Sequence, residues 1–131
     1  MGEEPDNPAG RSRPGRSLRA GSRVALGVCT AALLTATHWP GLAIEGPIDR
    51  TDLLIHASVF AVWAALLAMA TGWRMPALLV VGVLFAGFDE ATQPLFNRVF
   101  DWTDLGADVV GVFLGSLGFS LLRPNAEQNG R

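Results

Sequence analysis

The sequence predicts an all-α integral membrane protein: a bundle of four transmembrane helices with both termini in the cytoplasm. Three observations predict it. Half of the 131 residues are hydrophobic, and they gather in four long blocks separated by charged stretches. A soluble core would instead recur at helical or strand period among polar residues. The later three blocks match the roughly 20 helical residues that cross a bilayer core of about 30 Å. None alternates with period two, so helices rather than a barrel satisfy the backbone in lipid.

The elements follow in order. Residues 1–23 are polar and rich in Gly, Pro, Ser and Arg, and read as a disordered tail. The membrane domain spans residues 24–122. Its first span runs from Val24 to Trp39, tilting on as far as Ile44, and is interrupted by Pro40 and Gly41. The second runs from Asp52 to Trp73. The third runs from Pro76 to Phe96, with proline in the first turn, where its missing N–H is no loss. The fourth runs from Thr103 to Leu122. Residues 123–131 form a short polar tail.

All ten basic residues are arginine, and their placement sets the expected orientation. Arg11, Arg13, Arg16, Arg19 and Arg23 precede the first span, Arg74 lies in the second turn, and Arg123 and Arg131 close the chain. The loops carrying Glu45, Asp49, Asp52, Asp101 and Asp104 are acidic, with Arg50 and Arg98 among them, and would face out. Trp39 and Trp102 would then mark the outer interface and Trp73 the inner one. The net charge of −2 gives no sign of nucleic-acid binding. Cys29 is the single cysteine, which excludes an internal disulfide and reads as a packed thiol. No cofactor is expected.

Ionisable groups inside membrane helices are costly and persist where they meet a partner, a cavity or a site. His56 lies one turn into the second helix, Glu90 about 9 Å below the outer end of the third at 1.5 Å per residue, and Asp108 just over one turn into the fourth. Three helices thus carry polar groups to one depth. Glu90 and Gln93 share a helix face, as do Asp52 and His56, and Asp101, Asp104 and Asp108. Plainer readings stand beside these. Asp52 reads first as a helix cap. Asp101 with Asp104 resembles a capping box. His56 could bond a carbonyl at the interface, and Glu90 with Gln93 could hold helices together. Asp89 points about 100° from Glu90, toward another neighbour. Gly111 and Gly115 form a G-x-x-x-G pair for close helix packing, with Gly82, Ala86 and Gly87 in the same role on the third helix. His56, Glu90, Asp104 and Asp108 are N/O ligand types, but no H-x-x-x-H or H-E-x-x-H spacing supports a metal, and none is expected. No Ser–His or Cys–His arrangement suggests a nucleophile.

The stretch from Asp89-Glu90-Ala91-Thr92-Gln93 to Arg98, then Asp101, Asp104, Asp108 and Gly111, resembles the VanZ-like family: an E-x-x-Q pair, an aromatic, an arginine, then spaced aspartates and glycines. Asp52 to His56, followed by Phe60, is similar to the family's D-K-x-x-H motif. The resemblance covers about residues 24–122. Leu53 replaces the usual lysine, and Asp108 stands where asparagine is common. The resemblance implies a bacterial cytoplasmic-membrane protein of the cell envelope. For the founding member it implies a link to low-level teicoplanin resistance.

The expected function is therefore an outward polar site built from Asp52, His56, Glu90, Gln93, Arg98, Asp101, Asp104 and Asp108. Its expected partners are the lipid bilayer and a lipid-linked or glycopeptide ligand. The competing readings are a membrane enzyme acting on a lipid-linked substrate, with Glu90 or Asp104 as acid–base, and a structural or accessory subunit. The Gly111/Gly115 face offers a surface for a homo-oligomer.

Overall fold

A computed structural model describes residues 14–40 and 50–122. Its helices are α1 (Pro14–Thr37), α2 (Thr51–Thr71), α3 (Met75–Thr92), which continues as a 3-10 turn over Gln93–Phe96, and α4 (Trp102–Leu122). There is no strand among the described residues. All four helices are long and apolar enough to cross a membrane, with spans at Leu18–Thr37, Thr51–Thr71, Met75–Phe96 and Trp102–Leu122. Their outer faces are apolar: Val62, Val80, Leu84, Phe113, Leu114 and Leu121 are all exposed. A water-soluble monomer rarely shows so much contiguous apolar surface, so the chain is a multi-pass membrane protein.

The first helix corrects the expected boundary. It begins at Pro14, so residues 14–23 are helical rather than part of a disordered tail. Proline fits a first helical turn, and the arginines that suggested a tail extend along exposed helix instead, as at Arg19 and Arg23. Residues 1–13, the loop 41–49 and the tail 123–131 lie outside the described residues.

α2 packs between α1 and α4, and α3 packs mainly on α4. The α2–α4 contact is the most extensive because α4 presents glycine where α2 comes closest. A Cβ on Gly111 would strike the Ala57 carbonyl oxygen, and one on Gly115 the Ala61 carbonyl oxygen. Both glycines are thus consumed inside the bundle, which removes the homo-oligomer surface expected there. A Cβ on Gly82 would strike the Val112 side chain, so glycine there lets α3 approach α4, whereas one on Gly87 would meet nothing within 4 Å.

Between these contacts lies the core of Leu33, Phe60, Trp63, Leu67, Leu78, Ala86 and Val112. Trp63 stacks on Phe85 with centroids 4.4 Å apart. Its indole N–H donates to Thr30 Oγ1 at 2.9 Å, which satisfies a polar group that lipid could not. Cys29 is partly buried against this core. Hydroxyls on α1 are satisfied within the helix, Thr30 donating to Leu26 O at 2.8 Å and Thr35 to Ala31 O at 2.7 Å.

α2 ends at Gly72, whose φ of 70° is the left-handed conformation glycine adopts without strain, and its N–H returns to Ala68 O at 2.8 Å. The Arg19 guanidinium lies against this turn. Arg19, Gly72, Trp73 and Arg74 therefore share one end of the bundle. The end of α1, the starts of α2 and α4, and the 3-10 turn share the other.

Candidate functional site

The polar residues of the membrane helices meet at this second end. His56 on α2 points at α4, where its Nδ1 is 2.9 Å from Asp108 Oδ1. A carboxylate can only accept, so the imidazole donates from Nδ1, and in its neutral form the lone pair lies on Nε2. That nitrogen lies 3.8 Å from Asp104 Oδ2, one helical turn nearer the start of α4. The side-chain spacing of Asp104 and Asp108 thus clasps one ring from two sides.

Glu90 enters from α3 and is fully buried. Its Oε1 accepts from Gln93 Nε2 at 2.9 Å, and its Oε2 accepts from the backbone N–H of Asp101 at 3.1 Å. The second bond explains how α4 begins. Asp101 is the residue before the helix, and its Oδ1 accepts from both the N–H and the hydroxyl of Thr103, each at 2.7 Å. This is an N-cap. These donors hold the Asp101 carboxyl below the usual carboxylate range. In a capping box the acid three residues on would return a bond to the Asp101 N–H. Here Glu90 takes that donor from another helix, and Asp104 turns to His56. The capping-box reading of Asp101 with Asp104 is therefore half right: the cap forms, and the reciprocal acid comes from α3.

Asp89, whose direction differs from that of Glu90, finds α1. Thr37 Oγ1 donates to Asp89 Oδ1 at 2.8 Å, and His38 Nδ1 stands 3.7 Å from the same oxygen. His38 Nε2 is 2.8 Å from Thr92 Oγ1, and its ring meets Phe96 edge-on. Thr37 and His38 were not among the expected site residues. The sequence signal for them was an acid on the far face of α3 together with a histidine at the end of the first span.

Asp52 is not the cap expected of it. The residue preceding α2 is Arg50, and Asp52 lies in the first turn, where its charge suits the helix dipole. It lines a pocket of about 100 Å³ with Thr37, His56 and Arg98, whose other walls are Leu33, Ile55, Val59 and Phe60. Arg98 reaches this position because Asn97, at a φ of 60°, reverses the chain after the 3-10 turn, and the Arg98 N–H returns to Gln93 O at 3.3 Å.

Two overlapping groups of ligand-type side chains result. His56, Glu90 and Asp104 each bring one such atom within 4.8 Å of the others, and so do Asp89, Glu90 and Asp108. Asp89, Glu90 and Asp108 have no exposed surface. Oδ2 of Asp89, Oδ2 of Asp108 and Oδ1 of Asp104 are buried without a hydrogen-bond partner. Chemically the arrangement can hold cations or protons and can fix a small polar group beside an apolar wall.

No curated protein and no solved structure gives a significant match to the chain. The model of the VanZ/LLP1 family matches residues 24–123, from the first membrane span through the fourth, and the chain therefore belongs to that family.

Proposed function

We propose that this chain is an envelope-modulating membrane protein that engages the polar head of a lipid-anchored ligand at the outer face of a bacterial cytoplasmic membrane. The observation that carries the reading is the pocket beside the buried cluster. Asp52, His56, Arg98 and Thr37 supply polar groups, and Leu33, Ile55, Val59 and Phe60 supply an apolar wall. A molecule with a charged head and a hydrocarbon chain has the same division. The outward orientation is supported by Arg19, Arg23 and Arg74 near the opposite end.

The volume of about 100 Å³ is small beside the roughly 300–1,000 Å³ of pockets that enclose drug-sized ligands. It suits a head group and not a glycopeptide. Any effect on teicoplanin, which family membership suggests, would then be indirect, through the envelope component that the protein holds.

The test is expression in a glycopeptide-sensitive bacterium. Teicoplanin and vancomycin susceptibility are compared for wild type, Glu90→Ala and empty vector, with lipid-linked cell-wall precursors profiled in the same cells. A teicoplanin shift, or an altered precursor profile, that Glu90→Ala abolishes supports the reading. Identical susceptibility and identical profiles in all three refute it. The acid–histidine pair also favours a second reading, a membrane enzyme on a lipid-linked substrate. That reading requires a modified lipid species to appear only with the wild type.

A further inference from the structure

We propose that the buried cluster at the head of the bundle is a divalent-cation site. It would take an ion of the manganese or zinc class on His56 Nε2 and the carboxylates of Glu90 and Asp104, with Asp108 as the positioning residue. The proposal does not depend on the nature of the envelope ligand.

The first ground is the imidazole. Metal-binding histidines commonly donate their other ring N–H to a carboxylate, which fixes tautomer and direction. His56 does this through Nδ1 to Asp108 Oδ1 at 2.9 Å. Its Nε2 then faces Asp104 Oδ2 at 3.8 Å, beyond hydrogen-bond reach. In the neutral ring two acceptors then face each other, an arrangement that a proton on Nε2 or a bound cation relieves.

Spacing is the second ground. Three atoms each about 2.1 Å from a common ion lie at most about 3.6 Å from one another, and about 3.4 Å in a tetrahedral site. The His56, Glu90 and Asp104 atoms lie within 4.8 Å of one another, whereas three ligands of one ion sit at most about 3.6 Å apart, so a contraction of up to about 1.2 Å per pair completes the set.

The third ground is independent of both. Asp89 and Asp108 have no exposed surface, and each buries an Oδ2 with no partner while joining Glu90 in the second carboxylate group. Orphaned carboxylate oxygens in a low-dielectric interior are stabilised by a compensating cation or by a proton. The groups facing the cluster are Thr37 and His38 from α1, His56 from α2, Gln93 from α3 and Arg98 from the turn. The orphaned oxygens accept no hydrogen bond. One imidazole with several carboxylates is a mixed N/O donor set, which favours manganese or zinc over the all-oxygen sites of calcium and magnesium. No metal is expected from the sequence because three separate helices supply the ligands, and no short motif records them.

The test uses the full chain in nanodiscs of zwitterionic lipid, titrated with Mn²⁺ and followed by electron paramagnetic resonance, with Zn²⁺, Mg²⁺ and Ca²⁺ as competitors. The expected result is saturable binding of about one Mn²⁺ per chain, displaced by Zn²⁺ and weakened at least about tenfold by Glu90→Gln and by Asp104→Asn. Asp104 is partly exposed and its asparagine variant isosteric, so that arm remains decisive if Glu90→Gln misfolds. Binding no greater than in empty nanodiscs, or equal in wild type and the folded variants, overturns the proposal and leaves protons as the neutralising charge. Displacement by Mg²⁺ or Ca²⁺ as readily as by Zn²⁺ overturns the ion class.

Discussion

Replacing Gly111 and Gly115 by alanine adds two methyl groups to α4 where α2 leaves no room. At Gly111 the new Cβ would lie 2.9 Å from the carbonyl carbon and 3.0 Å from the Cα of Ala57, besides striking the carbonyl oxygen; Gly115 meets Ala61 in the same way. These are backbone atoms of a rigid helix, so rotamer changes give no relief. Carbon contacts prefer about 3.5–4.0 Å, so α2 and α4 must part by roughly 0.5–1 Å. Two effects oppose each other. Alanine favours a helix over glycine by about 1 kcal/mol per site. Overpacking costs about 1–3 kcal/mol, and one helix displacement relieves both sites, so their costs do not add fully. Each single variant should lose up to about 2 kcal/mol by this balance. The control is Gly118→Ala, where a Cβ meets nothing within 4 Å and stability should be unchanged or improved. The assay is unfolding of the purified protein in mixed micelles with increasing denaturing detergent, following helix content. Parting the helices also strains the 2.9 Å pair between His56, next to Ala57, and Asp108, one turn before Gly111. The histidine ring resonances should therefore shift in the alanine variants and not in Gly118→Ala. Equal stability of Gly111→Ala, Gly115→Ala and Gly118→Ala would refute the packing argument.

Other expectations follow from the same geometry. Asp101→Ala removes the cap of α4 and should cost about 1 kcal/mol, whereas Asp101→Asn keeps an accepting oxygen and should cost little; the same unfolding assay separates them. The Asp101 carboxyl titrates lower in the folded protein than in the unfolded chain. Its contribution is therefore complete above the usual carboxylate range and fades as pH falls through the lowered value. The stability difference between wild type and Asp101→Asn should shrink below about pH 4. Glu90→Leu strands the Gln93 amide and the Asp101 N–H, so hydrogen exchange at the Asp101 amide should accelerate; unchanged exchange would mean that this bond does not hold the start of α4. Trp63→Phe keeps an aromatic ring beside Phe85 and loses the bond to Thr30, which should cost about 1 kcal/mol by detergent unfolding.

The spans were legible because block length and hydropathy are local properties: Asp52–Trp73 against Thr51–Thr71, and Thr103–Leu122 against Trp102–Leu122. The start of α1 was not, since arginine and serine suit a solvated tail and a solvated helix equally well. Depth and helical period brought His56, Glu90 and Asp108 to one level, but side-chain partners across the bundle are not written in period. Thr37 and Asp89 are 52 positions apart in sequence, and only the fold, which brings the ends of α1 and α3 together, joins them. The exchange of capping partners at Asp101 was hidden for the same reason. Asp104 has the correct spacing for a box, and nothing local announces that Glu90 occupies its place.

The pairing of His56 with Asp108 also bears on how the chain enters the bilayer. On insertion scales an aspartate at a helix centre costs about 2.5–3.5 kcal/mol, while each leucine, valine or phenylalanine returns only about 0.3–0.6. Asp104 and Asp108 lie within the fourth span. That helix would gain by leaving the translocon after α2 is already in the membrane and able to accept it. The glycine face that lets α4 seat directly on Ala57 and Ala61 shields its acids from lipid as they arrive. Chain order and side-chain chemistry thus agree: the helix that carries the histidine is made first, and the helix that needs it is made last.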